Sequence, residues 1–266
     1  MTRVTVAPGV ELNVEEAGAG GPPFVFIHGL ACDHTAWAPQ FADLSRDHRC
    51  LSVDLRGRGD STAKGPYGVI QQAEDVAAIL DALGVRPAII VGHSLGGLVA
   101  LELNRRRPEL VLGAVAGDSP IGARGLGAAK LAESVQAAGT TEPLRPLIER
   151  FWSSLTTEET KEYVRAMMLG CPAEVVAGML GDDPGPDGMA ALLKAADQKP
   201  FMVIWADRPN ANATWLRDVC MFVRQETVAG TGHFFQLEEP AITNALLRAF
   251  LDDVERDPRL EKLGLR

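Results

Sequence analysis

Short runs of consecutive apolar residues recur along the chain, and each is closed by Gly, Asp or Pro. They lie at 24–27, 50–53, 88–91, 111–116 and 201–205. Runs of this length without polar alternation predict strands that are buried on both faces, as in a parallel sheet. Nearer the N-terminus, segments 4–6 and 11–14 flank a Pro-Gly turn and predict a hairpin at the edge of that sheet.

Helical periodicity separates the predicted strands. Apolar residues recur at helical spacing in segments 70–83, 95–106 and 240–251, and a further candidate strand spans 223–228. A regular alternation of strands and helices predicts an α/β fold. In this fold class a mostly parallel central sheet carries helices on both of its faces.

One interval interrupts this alternation. From about residue 120 to residue 200 the sequence contains no strand-like run, and three short amphipathic helices are predicted there instead, at 142–155, 158–169 and 173–179. A long helical insertion between two strands predicts a lid over the sheet edge where ligands bind. We therefore expect a core domain made of 1–119 and 200–266 and a helical lid, or cap, made of 120–199.

Composition and charge exclude several classes of protein. The chain has 266 residues, of which 46% are hydrophobic, so one large core can form. A formal net charge of −9 disfavours phosphate backbones and anionic lipids, and we expect neither a nucleic-acid partner nor a membrane partner. The apolar runs are too short to span a bilayer. The first residues contain no secretory signal, which predicts a cytoplasmic protein.

The cysteines and the glycine-rich segments give no sign of a metal or cofactor. The four cysteines are far apart and form no CxxC pair, so reduced thiols are expected: Cys32, Cys50, Cys171 and Cys220. Cys32 follows a loop that we place near the active site, but a small buried side chain is the favoured interpretation. The sequence contains no HExxH, EF-hand or P-loop pattern. We expect no metal and no cofactor.

The most specific chemical signal is Gly92-His93-Ser94-Leu95-Gly96-Gly97. This sequence directly follows a predicted strand and directly precedes a predicted helix. A serine on such a tight turn presents its Oγ at the end of the sheet, and a side chain at Gly92 or Gly96 would collide with neighbouring backbone. The motif therefore predicts Ser94 as a nucleophile.

Four motifs together resemble those of the α/β-hydrolase superfamily. In chain order they are the His-Gly turn at 28–29, the D-x-R-G-x-G-x-S loop at 54–61, the nucleophile turn at 92–97 and the histidine segment at 230–234. The resemblance covers nearly the whole chain except the lid and is specific for the fold, not for the substrate. It implies the α/β-hydrolase fold of a serine esterase-like or lactonase-like member, with the order nucleophile, acid, histidine.

That order identifies the general base. Of the five histidines only His233 follows the nucleophile, and its Gly-Thr-Gly turn could direct the imidazole toward the serine oxygen. We expect His28 and His93 to brace loops through ring hydrogen bonds. We expect His34 and His48 to lie on the surface, away from the chemistry.

The acid has two candidates at strand ends, Asp118 and Asp207. The commoner acid of the superfamily follows the later strand in a G-x-x-D pattern, but aligning Ala206 with that glycine places Pro209 where the acid should be. Zearalenone-lactone hydrolases, some haloalkane dehalogenases and cofactor-independent quinolone dioxygenases place the acid after the earlier strand, and segment 117–120 is similar to theirs. Asp118 is therefore the favoured acid and Asp207 the alternative.

The resemblance also implies where the substrate is held. An oxyanion hole would use the backbone N–H groups of Leu95 and Leu30. Apolar residues of the predicted lid, Trp152 among them, would suit an apolar acyl group or ring, although packing is the favoured role for most of them. We therefore name Leu30, Leu95 and Trp152 as substrate-binding residues.

Three functions remain open on these residues. The leading hypothesis is a serine hydrolase that cleaves carboxylic esters or lactones of small apolar molecules through an acyl-enzyme on Ser94. The second is a cofactor-independent dioxygenase of a hydroxyquinolone-like ring, in which a His233–Asp118 dyad makes Ser94 dispensable. The third is a binding protein with slow turnover. In each case the expected partner is a small molecule, and the oligomeric state is left open.

Overall fold

The computed structural model describes residues 1–85, 87–122, 127–181, 184–209, 211 and 213–265. Its centre is an eight-stranded sheet of order β1-β2-β4-β3-β5-β6-β7-β8. The strands are β1 (Thr2–Ala7), β2 (Val10–Ala17), β3 (Phe24–Ile27), β4 (Cys50–Val53), β5 (Ala88–His93), β6 (Val111–Gly117), β7 (Phe201–Ala206) and β8 (Arg224–Val228).

Twelve α-helices are assigned in the described residues. They are α1 (Ala38–Leu44), α2 (Val69–Ala82), α3 (Leu95–Arg106), α4 (Ala128–Ala138), α5 (Arg145–Ile148), α6 (Glu158–Leu169), α7 (Ala173–Leu180), α8 (Gly185–Ala196), α9 (Ala213–Val219), α10 (Phe235–Glu238), α11 (Pro240–Arg256) and α12 (Pro258–Lys262). Short 3-10 turns span His34–Trp37, Pro108–Leu110 and Glu142–Leu144.

The sheet confirms the α/β fold class. Strands β3 to β8 pair in parallel, while β1 and β2 form the predicted antiparallel hairpin. The side chains of β3 alternate between the two faces: Val25 and Ile27 join the apolar cluster under α2 and α3, and Phe24 and Phe26 join the cluster under α1 and α11. Burial on both faces explains why these strands read as unbroken apolar runs.

Parallel pairing brings the carboxyl ends of four strands to one edge of the sheet. Ile27 lies beside Gly92 in the β3–β5 pair, and Gly92 lies beside Ala116 in the β5–β6 pair. Gly117 lies beside Ile204 in the β6–β7 pair. The loops that follow β3, β5, β6 and β7 therefore meet at this edge, which is where ligands bind in open α/β sheets.

The segment between β6 and β7 is helical, and no strand occurs in its described residues. Helices α6 and α7 match their predicted spans. The prediction of one helix over 142–155 is wrong: helical structure ends at Ile148, and Phe151 to Leu155 follow as irregular backbone. The Oγ of Ser153 accepts a hydrogen bond from Leu155 N, and such local side-chain bonds compete with a helix.

The structure also contains helices that the sequence pattern did not reveal, notably α4 and α8. Among the described residues no single helix has the length and apolar character needed to cross a bilayer. Helices α6 and α7 pass that test only as a pair, and they meet at a bend of 91°.

Candidate active site

Ser94 lies on a sharp turn between β5 and α3. Its φ of 52° is in the left-handed region, which is rare for a residue with a side chain, and its N–H donates to Gly117 O at 2.7 Å. A Cβ at Gly92 would lie 2.1 Å from Gly96 O, and one at Gly96 would lie 2.4 Å from Ile27 O. The turn can therefore form only with glycine at both positions, as the sequence predicted.

Asp118 and His233 meet at the end of β6. His233 Nδ1 donates to Asp118 Oδ2 at 2.6 Å, and the carboxylate residue is only 4% exposed. Asp118 N donates to Ile204 O at 2.7 Å, and its Oδ1 accepts from Ala206 N at 3.3 Å. A proton held at Nδ1 leaves the other ring nitrogen, Nε2, as the basic site of a neutral imidazole.

Asp207, the alternative acid, lines the same cavity but bonds to the turn before His233. It is exposed, its Oδ1 accepts from Gly230 N at 3.1 Å, and its own N–H donates to Thr231 O at 3.2 Å. These bonds hold the turn that precedes His233. The imidazole itself bonds to Asp118, and no hydrogen bond in the described structure joins it to Asp207.

The imidazole of His233 is held by its neighbours as well as by its acid. Its backbone N–H donates to Phe151 O at 2.9 Å, and the Phe151 ring stacks on the imidazole with centroids 4.3 Å apart. The backbone oxygen of His233 accepts from His93 Nε2 at 2.8 Å. Phe151 comes from the helical segment between β6 and β7, so that segment contacts the predicted base directly.

Glu238 fastens the histidine loop to the same segment. Its carboxylate accepts from Gly232 N, from Ser153 Oγ and from Thr156 Oγ1, each at 2.7 Å. Sequence reasoning placed Phe151 only among the apolar residues of the lid, and it missed Glu238 and the contact between Phe151 and His233. A carboxylate six residues beyond Gly232 was a usable signal for Glu238, whereas nothing in the sequence separates Phe151 from other apolar residues.

The two predicted oxyanion donors lie on either side of Ser94. In the described part of the chain, neither Leu30 N nor Leu95 N donates a hydrogen bond to another protein group. Ala31, next to Leu30, has a φ of 58°. Ser94 and His233 line one cavity, and no hydrogen bond of ordinary length joins them among the described residues. In ligand-free enzymes such bonds are often long and shorten when substrate binds.

Buried histidines brace the neighbouring loops, as predicted for His28 and His93. His28 Nε2 accepts from Leu55 N at 3.0 Å, so Nδ1 carries the proton and donates to Gly29 O at 2.9 Å. Burial is the main cause that lowers the pKa of His28 to about 4. Burial, with a smaller contribution from the charge of His233, also sets the pKa of His93 well below its usual value.

The prediction that His34 and His48 lie on the surface is wrong. The side chain of His34 is 12% exposed and bonds to Asp54 Oδ1 at 2.8 Å, which raises the pKa of His34. His48 is buried, and its Nδ1 lies 3.1 Å from Pro22 O. Both rings fill polar positions inside loops, where their hydrogen bonds compensate for burial.

Asp33, His34 and Asp54 bring three possible metal-ligating atoms together. Hydrogen-bond donors already occupy the Asp54 carboxylate: Asn13 Nδ2 and Asp60 N reach Oδ2, and His34 N reaches Oδ1. Although burial opposes it, hydrogen bonds from His34 and Asn13 lower the pKa of Asp54 to about 2. The cluster therefore fits a loop brace better than a metal site.

A cavity of about 1340 Å³ opens over Ser94 and His233. Leu30, Leu95 and Trp152 all line it, as do other apolar side chains of the helical segment: Phe151, Met168, Met179, Leu180 and Met189. Trp152 Nε1 donates to Glu149 Oε2 at 3.0 Å, which fixes the orientation of the indole. Most of the side chains that the helical segment contributes to the lining are apolar, so the cavity offers apolar contacts to a ligand.

All four cysteines are buried and free. Cys32 packs in the apolar core, as expected, and burial raises the pKa of its thiol far above the usual value. A thiol of this kind is a poor nucleophile because the thiolate is the reactive form.

Comparison with known proteins identifies the family of the chain. The sequence profile of the alpha/beta hydrolase family matches residues 24–246. A dihydrolipoyllysine-residue acetyltransferase component of the acetoin cleaving system from Pseudomonas putida is 27% identical to the chain over 249 residues. The match includes 89% of this chain but only 65% of that relative's length.

Two solved structures share the fold over nearly their whole length. A thermophilic esterase from Thermogutta terrifontis has a TM-score of 0.85 and 25% identity, covering 96% of this chain and 99% of its own. Est816, an N-acyl homoserine lactone degrading enzyme, has a TM-score of 0.76 and 28% identity, covering 94% of this chain and 100% of its own. Because the family profile spans most of the sequence, the chain belongs to the alpha/beta hydrolase family.

Proposed function

We propose that the protein is a serine hydrolase that cleaves carboxylic esters or lactones of small, largely apolar molecules. The observation that carries the proposal is the bond of 2.6 Å between His233 Nδ1 and Asp118 Oδ2, beside a serine held on a glycine-flanked turn. The names of the two solved relatives, an esterase and a lactone-degrading enzyme, support the same reaction class.

The proposed reaction begins with proton transfer. His233 Nε2 takes the proton of Ser94 Oγ as this oxygen attacks the substrate carbonyl, and the buried Asp118 carboxylate stabilises the imidazolium that forms. The carbonyl oxygen becomes an oxyanion, which Leu30 N–H and Leu95 N–H stabilise. The imidazolium then protonates the departing alcohol, and the acyl group remains on Ser94.

Water completes the cycle. His233 takes a proton from water, the hydroxide attacks the acyl carbon, and the returning proton releases Ser94 and the carboxylic acid. In a lactone the alcohol and the acid belong to one molecule, so ring opening needs no second product. The buried, neutral His28 and His93 hold the surrounding loops without competing for these protons.

The helical segment would shape the substrate site. We propose that residues 120–199 act as a lid on a core made of 1–119 and 200–266. Phe151 and Trp152 lie in this segment and line the cavity, and Phe151 also contacts His233. An apolar acyl group or ring would gain about 25 cal/mol for each Å² that it buries against such a lining.

The decisive experiment replaces the nucleophile. In Ser94→Ala, turnover of p-nitrophenyl esters and lactones should fall by about a thousandfold or more, with the fold intact by circular dichroism. Ser134→Ala is the matched control because Ser134 is exposed on α4, where its Oγ donates to Lys130 O. If Ser94→Ala kept more than about a tenth of the activity, nucleophilic catalysis by Ser94 would be refuted.

The same variant tests the other functions. A dioxygenase that uses only His233 and Asp118 would keep its activity in Ser94→Ala. A fluorophosphonate that labels Ser94 in the wild type, located by mass spectrometry, would show that the serine is activated. Absence of both labelling and turnover would instead favour a binding protein.

A further inference from the structure

Arg58 is a buried cation without an acidic partner. The residue is only 5% exposed, and in the described part of the chain its guanidinium forms no ion pair. Arg56, two residues earlier, is equally buried but pairs with both carboxylate oxygens of Asp75. Burying a charge without a counter-charge is costly. The hydrogen bonds that Arg58 forms must therefore compensate for the burial of its charge.

Two backbone carbonyls from different regions accept hydrogen bonds from Arg58, and the thiol of Cys171 also lies beside its guanidinium. Arg58 Nε donates to Cys32 O at 2.6 Å, and Nη2 donates to Met167 O at 3.0 Å. Cys32 lies in the loop that follows β3, and Met167 lies in the last turn of α6. The carboxyl end of a helix carries a partial negative charge, which favours a cation there. One side chain thus connects the loop after β3 with a helix of the proposed lid.

The loop it reaches carries the proposed oxyanion donor. Leu30 is followed by Ala31, whose φ of 58° is unfavourable for a residue with a side chain. Cys32 N closes the turn by donating to Gly29 O at 3.2 Å, so the direction of Leu30 N–H depends on where Cys32 is held. A backbone in a sparsely populated conformation persists only when surrounding contacts determine it.

We propose that Arg58 is a positioning residue for the oxyanion hole: it holds the loop 29–33 through Cys32 O and ties the loop to helix α6 through Met167 O. The inference rests on the proposed serine hydrolase function. Arg58 touches no substrate. It acts by keeping Leu30 N–H directed at the place where negative charge develops.

Two variants test the inference, with p-nitrophenyl butyrate as substrate at a temperature well below unfolding. Arg58→Met keeps the length of the side chain but leaves both carbonyls without a donor. Its kcat should fall by about tenfold or more, with KM changed by less than about threefold, because an oxyanion hole acts on the transition state. Arg58→Lys, which keeps one charged donor, should recover part of the lost kcat and serves if Arg58→Met does not fold.

Inhibition by an alkyl trifluoromethyl ketone distinguishes a positioning role of Arg58 from a purely structural one, because a structural role would leave this inhibition unchanged. This ketone forms a tetrahedral oxyanion with an activated serine and so depends on the same donors. In the Arg58 variants the inhibition constant of the ketone should rise by about the same factor by which kcat/KM falls. Inhibition by butyrate, which forms no such adduct, should change little.

Thr141→Val is the matched control. Thr141 is buried, and its Oγ1 donates to Leu169 O at 2.6 Å, at the same end of α6. Among the described residues no hydrogen bond joins Thr141 to the loop 29–33. This variant should melt at a lower temperature and keep its kcat. The inference is overturned if the kcat of Arg58→Met, or of Arg58→Lys where Arg58→Met does not fold, stays within about twofold of the wild type. It is also overturned if Thr141→Val loses as much kcat as the Arg58 variant.

Ser94→Ala in the same assay separates this inference from the proposed function. If Ser94→Ala remains active, both fail, because no serine-borne oxyanion forms. If Ser94→Ala is inactive while Arg58→Met, or Arg58→Lys in its place, turns over like the wild type, only the role of Arg58 fails.

Discussion

The carboxyl ends of β6 and β7 each carry an aspartate, and the two differ in almost every physical respect. Asp118 is buried, has a φ of 38° and bonds to the imidazole of His233. Asp207 is exposed and supports the turn at Gly230 through its Oδ1. Neighbouring strands of one sheet thus present the same side chain to two different environments.

The difference lies in what surrounds each strand end. Asp118 receives the N–H of Ala206 on its Oδ1, so the end of β7 helps to hold the carboxylate at the end of β6. Asp207 Oδ1 also receives a backbone N–H, from Gly230, but this residue remains exposed to solvent. A carboxylate that is desolvated and held by directed donors has a fixed orientation, whereas an exposed one samples several.

The largest expected effect comes from neutralising Asp118. Asp118→Asn should lower kcat by roughly a thousandfold or more, because an amide in that place favours the wrong tautomer of His233 and cannot stabilise the imidazolium. Steady-state kinetics on p-nitrophenyl esters would measure it.

Asp207→Asn is the matched comparison and should change kcat by less than about threefold, with a small loss of thermal stability from the weaker bond to Gly230 N. The reverse ranking of the two variants would make Asp207 the acid and would contradict the contrast drawn between the strand ends.

A second effect concerns acid stability at the buried edge. The pKa of His28 is about 4 in the fold, against an ordinary value of 6.5. His28 is therefore protonated below about pH 6.5 in the unfolded chain, but only below about pH 4 in the folded chain. The contribution of neutral His28 to the free energy of unfolding is complete above pH 6.5. It is lost as the pH falls from 6.5 to 4, and the loss is on the order of 3 kcal/mol.

Urea unfolding at pH 7 and at pH 4.5 would measure this loss in the free energy of unfolding. In His28→Gln the difference between the two pH values should shrink, because the neutral amide does not titrate. His93 acts in the same direction in both proteins, because burial is the main cause of its lowered pKa. An unchanged pH dependence would mean that burial of His28 is not what makes the edge sensitive to acid.

The smallest expected effect concerns the face of the His233 imidazole on which the Phe151 ring stacks. Phe151→Ala removes the ring that stacks on His233 at 4.3 Å, and kcat/KM should fall by a few-fold to about tenfold. Leu155→Ala, at an exposed residue of the same irregular segment, should leave kcat/KM unaltered. An equal loss in both variants would point to a general disturbance of the segment.

The fold was largely predictable because the five central strands, β3 to β7, are buried on both faces. Such strands carry apolar runs that need no tertiary information, and the predicted starts and ends agree with the structure to within one or two residues. The helical segment was less predictable. Helix α4 is rich in Ala and buries Val135 alone among its described residues, and α8 begins with Gly-Pro-Asp-Gly, a sequence typical of a turn. The region after Ile148 loses its helix to contacts with the histidine loop.

The residues of the site also divide into those that the sequence could predict and those that it could not. Ser94 was predictable because its turn demands glycine at fixed neighbouring positions, and His233 because the resemblance to the superfamily sets the order of the residues. Phe151, Glu238 and Arg58 were not predicted. Their roles depend on distant partners, such as Thr156 for Glu238, 82 residues away, and Met167 for Arg58, 109 residues away, so no local pattern marks them.

The sequence by itself therefore determined the α/β architecture and the serine turn, because burial and backbone sterics act between neighbouring residues and leave periodic or fixed patterns. Only the tertiary structure decided which strand-end carboxylate faces His233. It also decided which side chains join the helical segment to the core, since burial and hydrogen-bond direction at those positions are set by elements distant in sequence.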